Sequence, residues 1–295
     1  MRQGRVADLA GVLDLWTDDV HTGMRDCVPS EDRIARTLAA FDWPANSRMV
    51  EGTGGKIEGA VLVSSRASPL GTVAVIEASS AAHRPELLTD LTRWGLGLSK
   101  AAGATAASVW RGRGHGAGLE RLGLELVRQW WRMDRTLTDK PPAPLAVAGF
   151  ELHDATSLPR HLWSDAHNLS FADHWRFTPR DEDELMAGPP DLSLMATTPD
   201  GAPAAITLGQ IVHYAADTRN QPVGMVNSVG TLPAHRRQGL ATWLVAELLL
   251  RLHHTGARHA SLYVDGQNQT RAFDVYERLG FRLAFETEVW EARFQ

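Results

Sequence analysis

The chain has a single cysteine, Cys27, so no disulfide can form within its 295 residues, which fits a reducing compartment. No stretch reaches the roughly 18 consecutive apolar residues that a membrane-crossing helix needs. The opening residues, Met1-Arg-Gln-Gly-Arg-Val-Ala-Asp8, lack the uncharged apolar core of a secretion signal, so a soluble cytoplasmic protein without a membrane partner is expected. Excess positive charge is also missing. Thirty Lys and Arg against 35 Asp and Glu give a net charge of −5, which leaves no general footprint for nucleic acid. The 12 histidines include no His-Glu-x-x-His pair, and the adjacent His253 and His254 point to different faces of a helix, so no metal is expected. The glycine-rich run from Arg111 to Gly118 lacks the Lys-Ser/Thr sequel of a phosphate loop and reads as a flexible turn.

What remains is ordinary globular material, 43% hydrophobic and 22% charged, in a chain long enough for two domains. Val6 to Val20 carries Leu9, Val12, Leu13 and Trp16 at helical spacing, and Ser30 caps a second helix reaching about Phe41. Three antiparallel strands follow at Arg48 to Glu51, Ile57 to Ser64 and Thr72 to Glu77. A long helix from Pro85 ends near Gly103, Ala106 to Trp110 is a strand, Leu119 to Leu122 a helical turn, and Leu124 to Leu137 holds two more strands. Pro141, Pro142 and Pro144 then exclude a helix interior or a central strand, so residues 139–148 are read as a linker between domains 1–138 and 149–295.

After the linker the order starts again. Phe150 to Leu152 is a strand, Leu158 to Leu169 and Arg180 to Met186 are helices, and Leu192 to Ala196, Ala204 to Tyr214 and Val223 to Val229 are strands. Leu240 to His254 is a helix and Ala260 to Val264 a strand. A helix from Thr270 to Leu279 and two closing strands, Phe281 to Glu286 and Glu288 to Phe294, complete the chain. Three landmarks recur in register: Ala82-His-Arg84 with Ala234-His-Arg236, Gly103-Ala104 with Gly256-Ala257, and Glu120-Arg-Leu-Gly123 with Glu277-Arg-Leu-Gly280. Collinear matches of this kind indicate an internal duplication. The fold class expected is α/β, a mixed sheet flanked by helices, in two copies.

The copies differ where a strand turns into a helix. In the second, Val229-Gly-Thr-Leu-Pro233 leads through Ala234-His-Arg236-Arg-Gln-Gly239 into Leu240-Ala-Thr242. Unpaired amides at a helix start carry partial positive charge and hold anions, phosphate above all. Gly239 lets a ligand reach the backbone, Ala241 keeps the next position small, and Arg236 and Arg237 add two cations. The first copy has Arg84-Pro-Glu-Leu-Leu-Thr89 instead: no glycine, a proline that removes an amide, and a glutamate that repels phosphate.

With these residues in view, the second copy resembles the GNAT superfamily of acyl-CoA-dependent N-acetyltransferases. Arg236-Arg-Gln-Gly239-Leu-Ala241 is similar to the family's Q/R-x-x-G-x-G/A loop, and Asn268 with Tyr276-Glu-Arg-Leu-Gly-Phe281 to its later signature. Two tandem GNAT-like domains with a degenerate N-terminal copy resemble the two-domain type that includes mycothiol synthase and related actinobacterial acetyltransferases of small amines and antibiotics. Ser170-Phe-Ala-Asp-His-Trp175 is similar to a segment of that group. The resemblance implies acetyl-CoA as co-substrate. Val229, Gly230, Thr231, Arg236, Arg237, Gln238, Gly239, Leu240, Ala241, Thr242 and Asn268 would bind it.

Tyr276 would supply the proton to the departing thiolate, and His174 and Trp175 are candidates for the acceptor site. No general base is assigned. Mycothiol synthase has an acid on the strand before the loop, whereas Met225 to Ser228 contain none, which leaves Asp217, His213, His174 or a water chain. Transfer through Cys27 is disfavoured, since that residue lies in the copy without the anion loop. The expected partner is a small-molecule primary amine, and the expected state a monomer or homodimer. A non-catalytic acyl-CoA sensor or assembly protein is the alternative.

Overall fold

The computed structural model describes residues 1–185, 192–219, 221–267 and 272–294. In chain order the first part forms β1 (Arg2–Gln3), α1 (Leu9–Thr22), β2 (Val28–Pro29), α2 (Glu31–Thr37), α3 (Trp43–Asn46), β3 (Ser47–Glu51), β4 (Ile57–Ser68), β5 (Gly71–Ser80), α4 (Glu86–Ala101), β6 (Ala106–Gly112) and β7 (Glu125–Thr136). The second part forms β8 (Glu151–Asp154), α5 (Arg160–Phe171), α6 (Glu182–Leu185), β9 (Leu194–Thr197), β10 (Pro203–Val212), β11 (Tyr214–Ala216), β12 (Val223–Thr231), α7 (Leu240–His254), β13 (His259–Asp265), α8 (Phe273–Arg278) and β14 (Arg282–Arg293). Among the described residues no helix is long and apolar enough to cross a membrane.

Two compact units result, and they do not follow the linear boundary at the proline run. The first comprises Met1–Trp130, Tyr214–Gln221 and Phe285–Gln295; the second comprises Trp131–His213 and Pro222–Ala284. The last strand of the chain is therefore shared, with Arg282–Ala284 in the second unit and Phe285 onward in the first, and residues 139–148 lie within the second. Leu124 to Leu137 and Phe281 to Phe294, each expected as two strands, form the single strands β7 and β14. No Gly, Pro or Asn interrupts either run, so nothing in them favours a turn. The expected strand Ala204 to Tyr214 instead stops at Val212, and Tyr214 opens β11, which pairs with β2 in the first unit.

In the first unit the neighbours run β1, β3, β4, β5, β6, with β14 beyond β6. β4 and β5 form an unbroken antiparallel hairpin from Gly59 opposite Ser80 to Ser68 opposite Gly71. β5 and β6 are parallel, with α4 between them in the chain, and Val73 to Ile76 face Ala106 to Val109. The buried face of α4, Leu91, Thr92, Gly95 and Ser99, lies on this sheet. A side chain at Gly95 would come within 2.8 Å of Ile76, so the glycine permits the close approach.

In the second unit the order is β7, β13, β12, β10, β9, β8. Helix α7 buries Leu240, Trp243, Leu244, Val245, Leu248, Leu249 and Leu252. They join one cluster with Ala205, Val226, Leu262 and Phe281. A second cluster joins Trp163 and Ala166 of α5 to Met195, Ile206 and Leu208. Neighbouring strand residues such as Ala205 and Ile206 thus enter different clusters, as the two-residue period of a strand buried on both faces requires. Methylene for methylene this burial is the main stabilising term, about 0.8 kcal/mol per CH2.

The glycine-rich run at Arg111 is less of a turn than its composition suggests. Gly112 ends β6, its amide bonds Met24 O at 2.9 Å, and an added Cβ would sit 1.9 Å from the backbone oxygen of Gly23. Gly112→Ala is therefore expected to destabilise the first unit by about 1–3 kcal/mol, because backbone on both sides must move. Denaturant unfolding with an unchanged midpoint would show that the strand end has slack.

Candidate active site

The site begins with a fault in β12. Opposite β10 the register runs from Val223 facing Val212 to Asn227 facing Leu208, then resumes with Gly230 facing Ile206. Ser228 and Val229 together oppose Thr207, which makes a β-bulge, and Ser228 adopts φ +43°, a left-handed conformation rare for a side-chain-bearing residue. On its other edge β12 pairs in parallel with β13 at Gly224–Ala260 and Met225–Ser261. Among the described residues the pairing stops there, so Val226 to Thr231 turn a free edge toward the gap. Backbone N–H and C=O groups along such an edge can pair with an extended ligand as an added strand would.

Past the gap the loop is wound tightly. Pro233–His235 makes a 3-10 turn, Arg237 has φ +65° and Gly239 φ +89°, and α7 starts at Leu240. No side chain caps this helix, which leaves its first amides available to an outside anion. Gly239 is exposed, and a Cβ built on it would meet nothing nearer than Val147 Cγ2 at 3.8 Å. A phosphate can reach the backbone there.

The two arginines have different duties. Arg236 donates through Nη1 and Nη2 to the Asp173 carboxylate at 2.8 and 3.2 Å, through Nη2 to Ser170 O and through Nε to Thr231 O, both at 3.2 Å. This guanidinium holds Asp173 below the usual carboxylate range. These donors are engaged inside the protein, and the side chain ties the loop to the end of α5. Arg237 is exposed. The amide of Gln238 donates to Ala234 O at 3.5 Å, a contact internal to the loop.

Tyr276 is buried, in the same cluster as Leu240, Val264 and Phe281, and its ring meets Phe281 edge-on at 6.1 Å. Burial pushes its pKa well above the ordinary phenol value, so it stays protonated across the ordinary pH range. Asn268 lies outside the described residues. His174 and Trp175 follow the end of α5; the His174 ring contacts Phe171 at 4.7 Å, and the Arg176 guanidinium covers Trp175 at 4.4 Å. Of the other proposed bases, Asp217 is held by Arg219 at 3.0 Å within the first unit, and His213 is exposed.

α5 also brings Ser170 against β12. A side chain at Gly230 would meet Ser170 Cβ at 2.7 Å, so α5 rests directly on the strand. Ser170 Oγ is buried and has no hydrogen-bond partner among the described residues. One turn earlier, His167 is 4% exposed against Phe171 and Phe177, and burial lowers its pKa to about 4. Their i, i+3 spacing was visible, but which face of α5 meets β12 was not.

The first unit repeats the framework and closes it. Its hairpin has no bulge. Where β5 and β6 part beyond Ile76 and Val109, Arg111 of β6 is 6% exposed, and its Nη2 donates across to Ala78 O at 2.7 Å. Ser79 donates to the buried Asp19 at 2.5 Å, and burial raises Asp19 to about 6 while lowering Arg111 to about 10. The helix that follows opens with Glu86, which pairs with Arg84. In the first unit the Arg111 side chain thus bridges the space where the parallel strands part.

His167 gives a pH signature. Neutral in the fold and with an ordinary pKa when exposed, it makes unfolding take up a proton as pH falls from about 6.5 toward about 4. Stability contributed by its neutral form is present above that window and lost within it, about 2 kcal/mol between pH 7 and pH 5. His167→Gln should lose less stability than wild type over that interval in calorimetric melts; equal losses would refute a neutral buried imidazole.

Comparison with known proteins gives the site a lineage. Residues 206–290 match the family described as FR47-like protein. A mycothiol acetyltransferase of Streptomyces scabiei is 30% identical over 223 residues, 69% of this chain and 69% of that one. One of Catenulispora acidiphila is 34% identical over 197 residues, 64% of this chain but 57% of that one, so the match spans little more than half of that relative's length. Among solved structures, a GCN5-related N-acetyltransferase from Sphaerobacter thermophilus superimposes with a TM-score of 0.81 at 20% identity, over 99% of this chain and 94% of that one. A tandem GNAT protein from the clavulanic acid biosynthesis pathway does so with 0.71 at 17% identity, over 99% and 97%. These two likenesses bear out the mixed-sheet, tandem architecture. The chain belongs to the GNAT acetyltransferase superfamily, with residues 206–290 of FR47-like type.

Proposed function

We propose that the protein transfers the acetyl group of acetyl-coenzyme A to a primary amine of a small molecule, with both substrates bound together in the second unit. The observation that carries this reading is the open gap between β12 and β13 beyond Met225, which leads to the uncapped start of α7 at Gly239. The free edge of Val226 to Thr231 pairs with the amide-bearing arm of the donor, and the amides of Leu240 to Thr242 hold its pyrophosphate. When bound, the donor supplies a thioester, whose acetyl carbonyl is open to attack by an uncharged amine.

The chain's own groups then do the rest. A backbone amide at the bulge, Val229 or Gly230, donates to the carbonyl oxygen as charge builds there. The amine nitrogen bonds to the carbonyl carbon and gives up a proton to solvent through a water chain, the carbon–sulfur bond breaks, and Tyr276 donates its proton to the leaving sulfur and regains one from solvent. Its raised pKa suits it to hold that proton until then. Asn268 assists the donor arm, and His174 and Trp175 line the acceptor side. A moderately acidic chain favours a cationic acceptor, and the relatives named mycothiol acetyltransferase support a small-molecule one, metabolite or antibiotic.

Thiol release should exceed hydrolysis with at least one member of an amine panel, and Tyr276→Phe should lower kcat by about 10²–10⁴-fold while leaving donor affinity within a few-fold. Binding of acetyl-CoA without turnover on any amine would instead support an acyl-CoA-binding protein that does not catalyse transfer. Gly239→Asn preserves a left-handed residue but adds a side chain where the phosphate approaches. Calorimetry should record at least a tenfold loss of coenzyme A affinity, and wild-type affinity would remove the anion site from α7.

A further inference from the structure

The second unit contains a cleft of about 600 Å³ that no motif or periodicity announces. One side is the first two turns of α7, from Gly239 and Thr242 to Ala246; another is the end of α8 at Arg278 with Arg135 of β7. Residues 141–147, read from sequence only as a connector, form the third wall. Both ends of this strap are seated. Pro141 is buried, and Val147 packs against the α7 core and comes within 3.8 Å of the Cβ position of Gly239. Between them Leu145 is 86% exposed, so the strap arches outward over the cleft. Three prolines fix its backbone and reduce the entropy lost on holding that arch.

The lining has a definite chemistry. Its walls are mainly aliphatic and proline surface, with Trp243, and among the described lining residues the charged groups are the guanidiniums of Arg135 and Arg278, with no carboxylate. Arg135 donates to Leu279 O, a neutral acceptor, so its charge is uncompensated there. A flat heteroaromatic base fits the apolar walls, and a phosphate fits the two cations. The cleft opens at Gly239 itself, where the donor's pyrophosphate would be held, so the two sites are continuous.

We propose that the strap 141–147 is part of the donor site: with Arg135, Arg278 and α7 it encloses the phosphoadenosine end of the donor, so that the chain discriminates coenzyme A from donors that lack the nucleotide. This rests on the reading of the second unit as the donor-binding unit. The selectivity lies in a segment between the duplicated halves, and neither copy of the repeated framework supplies it.

Calorimetry with acetyl-CoA, adenosine 3′,5′-bisphosphate and S-acetyl-pantetheine tests this on the full chain. Wild type should bind acetyl-CoA at least about tenfold more tightly than S-acetyl-pantetheine, and adenosine 3′,5′-bisphosphate should compete with acetyl-CoA. Arg278→Glu, an exposed change, and Ala246→Trp, which fills the cleft, should each reduce acetyl-CoA affinity at least about tenfold and leave S-acetyl-pantetheine affinity unchanged. A Gly-Ser strap of equal length should do the same, with melting curves confirming that the variants fold. If acetyl-CoA binds but its preference over S-acetyl-pantetheine survives in all three variants, the strap has no part in the site. Adenosine 3′,5′-bisphosphate that binds without competing would overturn it equally. If wild type binds neither thioester, the donor-binding reading itself fails.

Discussion

The bulge of Ser228 and Val229 against Thr207 is the constraint on which the chemistry proposed for the second unit depends. One extra residue in β12 breaks the register with β10 and forces a left-handed backbone at Ser228. Such a conformation costs roughly 1–3 kcal/mol and persists only where surrounding packing over-determines it. Here α5 supplies that packing through the contact of Ser170 with Gly230, and the cluster under α7 supplies it on the opposite face. Where β12 no longer pairs with β13 among the described residues, its backbone polar groups lack the partners that strand pairing gives; in the proposed donor site a ligand would supply them.

The loop beyond the bulge shows how charge is divided between folding and binding. Arg236 gives its donors to Asp173, Ser170 O and Thr231 O and so fixes the loop against α5. A bidentate guanidinium–carboxylate pair is directional, and it holds the turn leading to Gly239 in place. In the proposed donor site, attraction for an anion would fall to the uncapped amides of α7 and, farther along, to the guanidiniums beside the proline strap.

The first unit is an internal control for this arrangement. It has the parallel pair β5 and β6 and the following helix α4, but its hairpin register is continuous and Arg111 bonds Ala78 O across the space where the strands part. A buried guanidinium is tolerated there because the carbonyls of Ala78 and Trp110 accept its protons and Asp19 lies within electrostatic reach. Burying such a charge is costly without these partners. The two copies of the framework therefore differ where the strands part: the first has a continuous hairpin register and an inward arginine bonded across the space.

Much of this was legible in the sequence because the signals are local. The 3.6-residue period from Leu240 to Leu252, the glycine before it and the repeated landmarks fixed the order of elements and pointed to one helix start. The likeness of Arg236 to Ala241 and Tyr276 to Phe281 to family motifs then pointed to acetyl transfer. Tertiary structure decided what depends on distant partners: that β7 and β14 are single strands serving interleaved units, that the bulge falls at Ser228, that Arg236 is committed to Asp173, and that a proline connector walls a cleft. A strand's register and a guanidinium's partner are set by residues far away in the chain, and no periodicity or spacing records them.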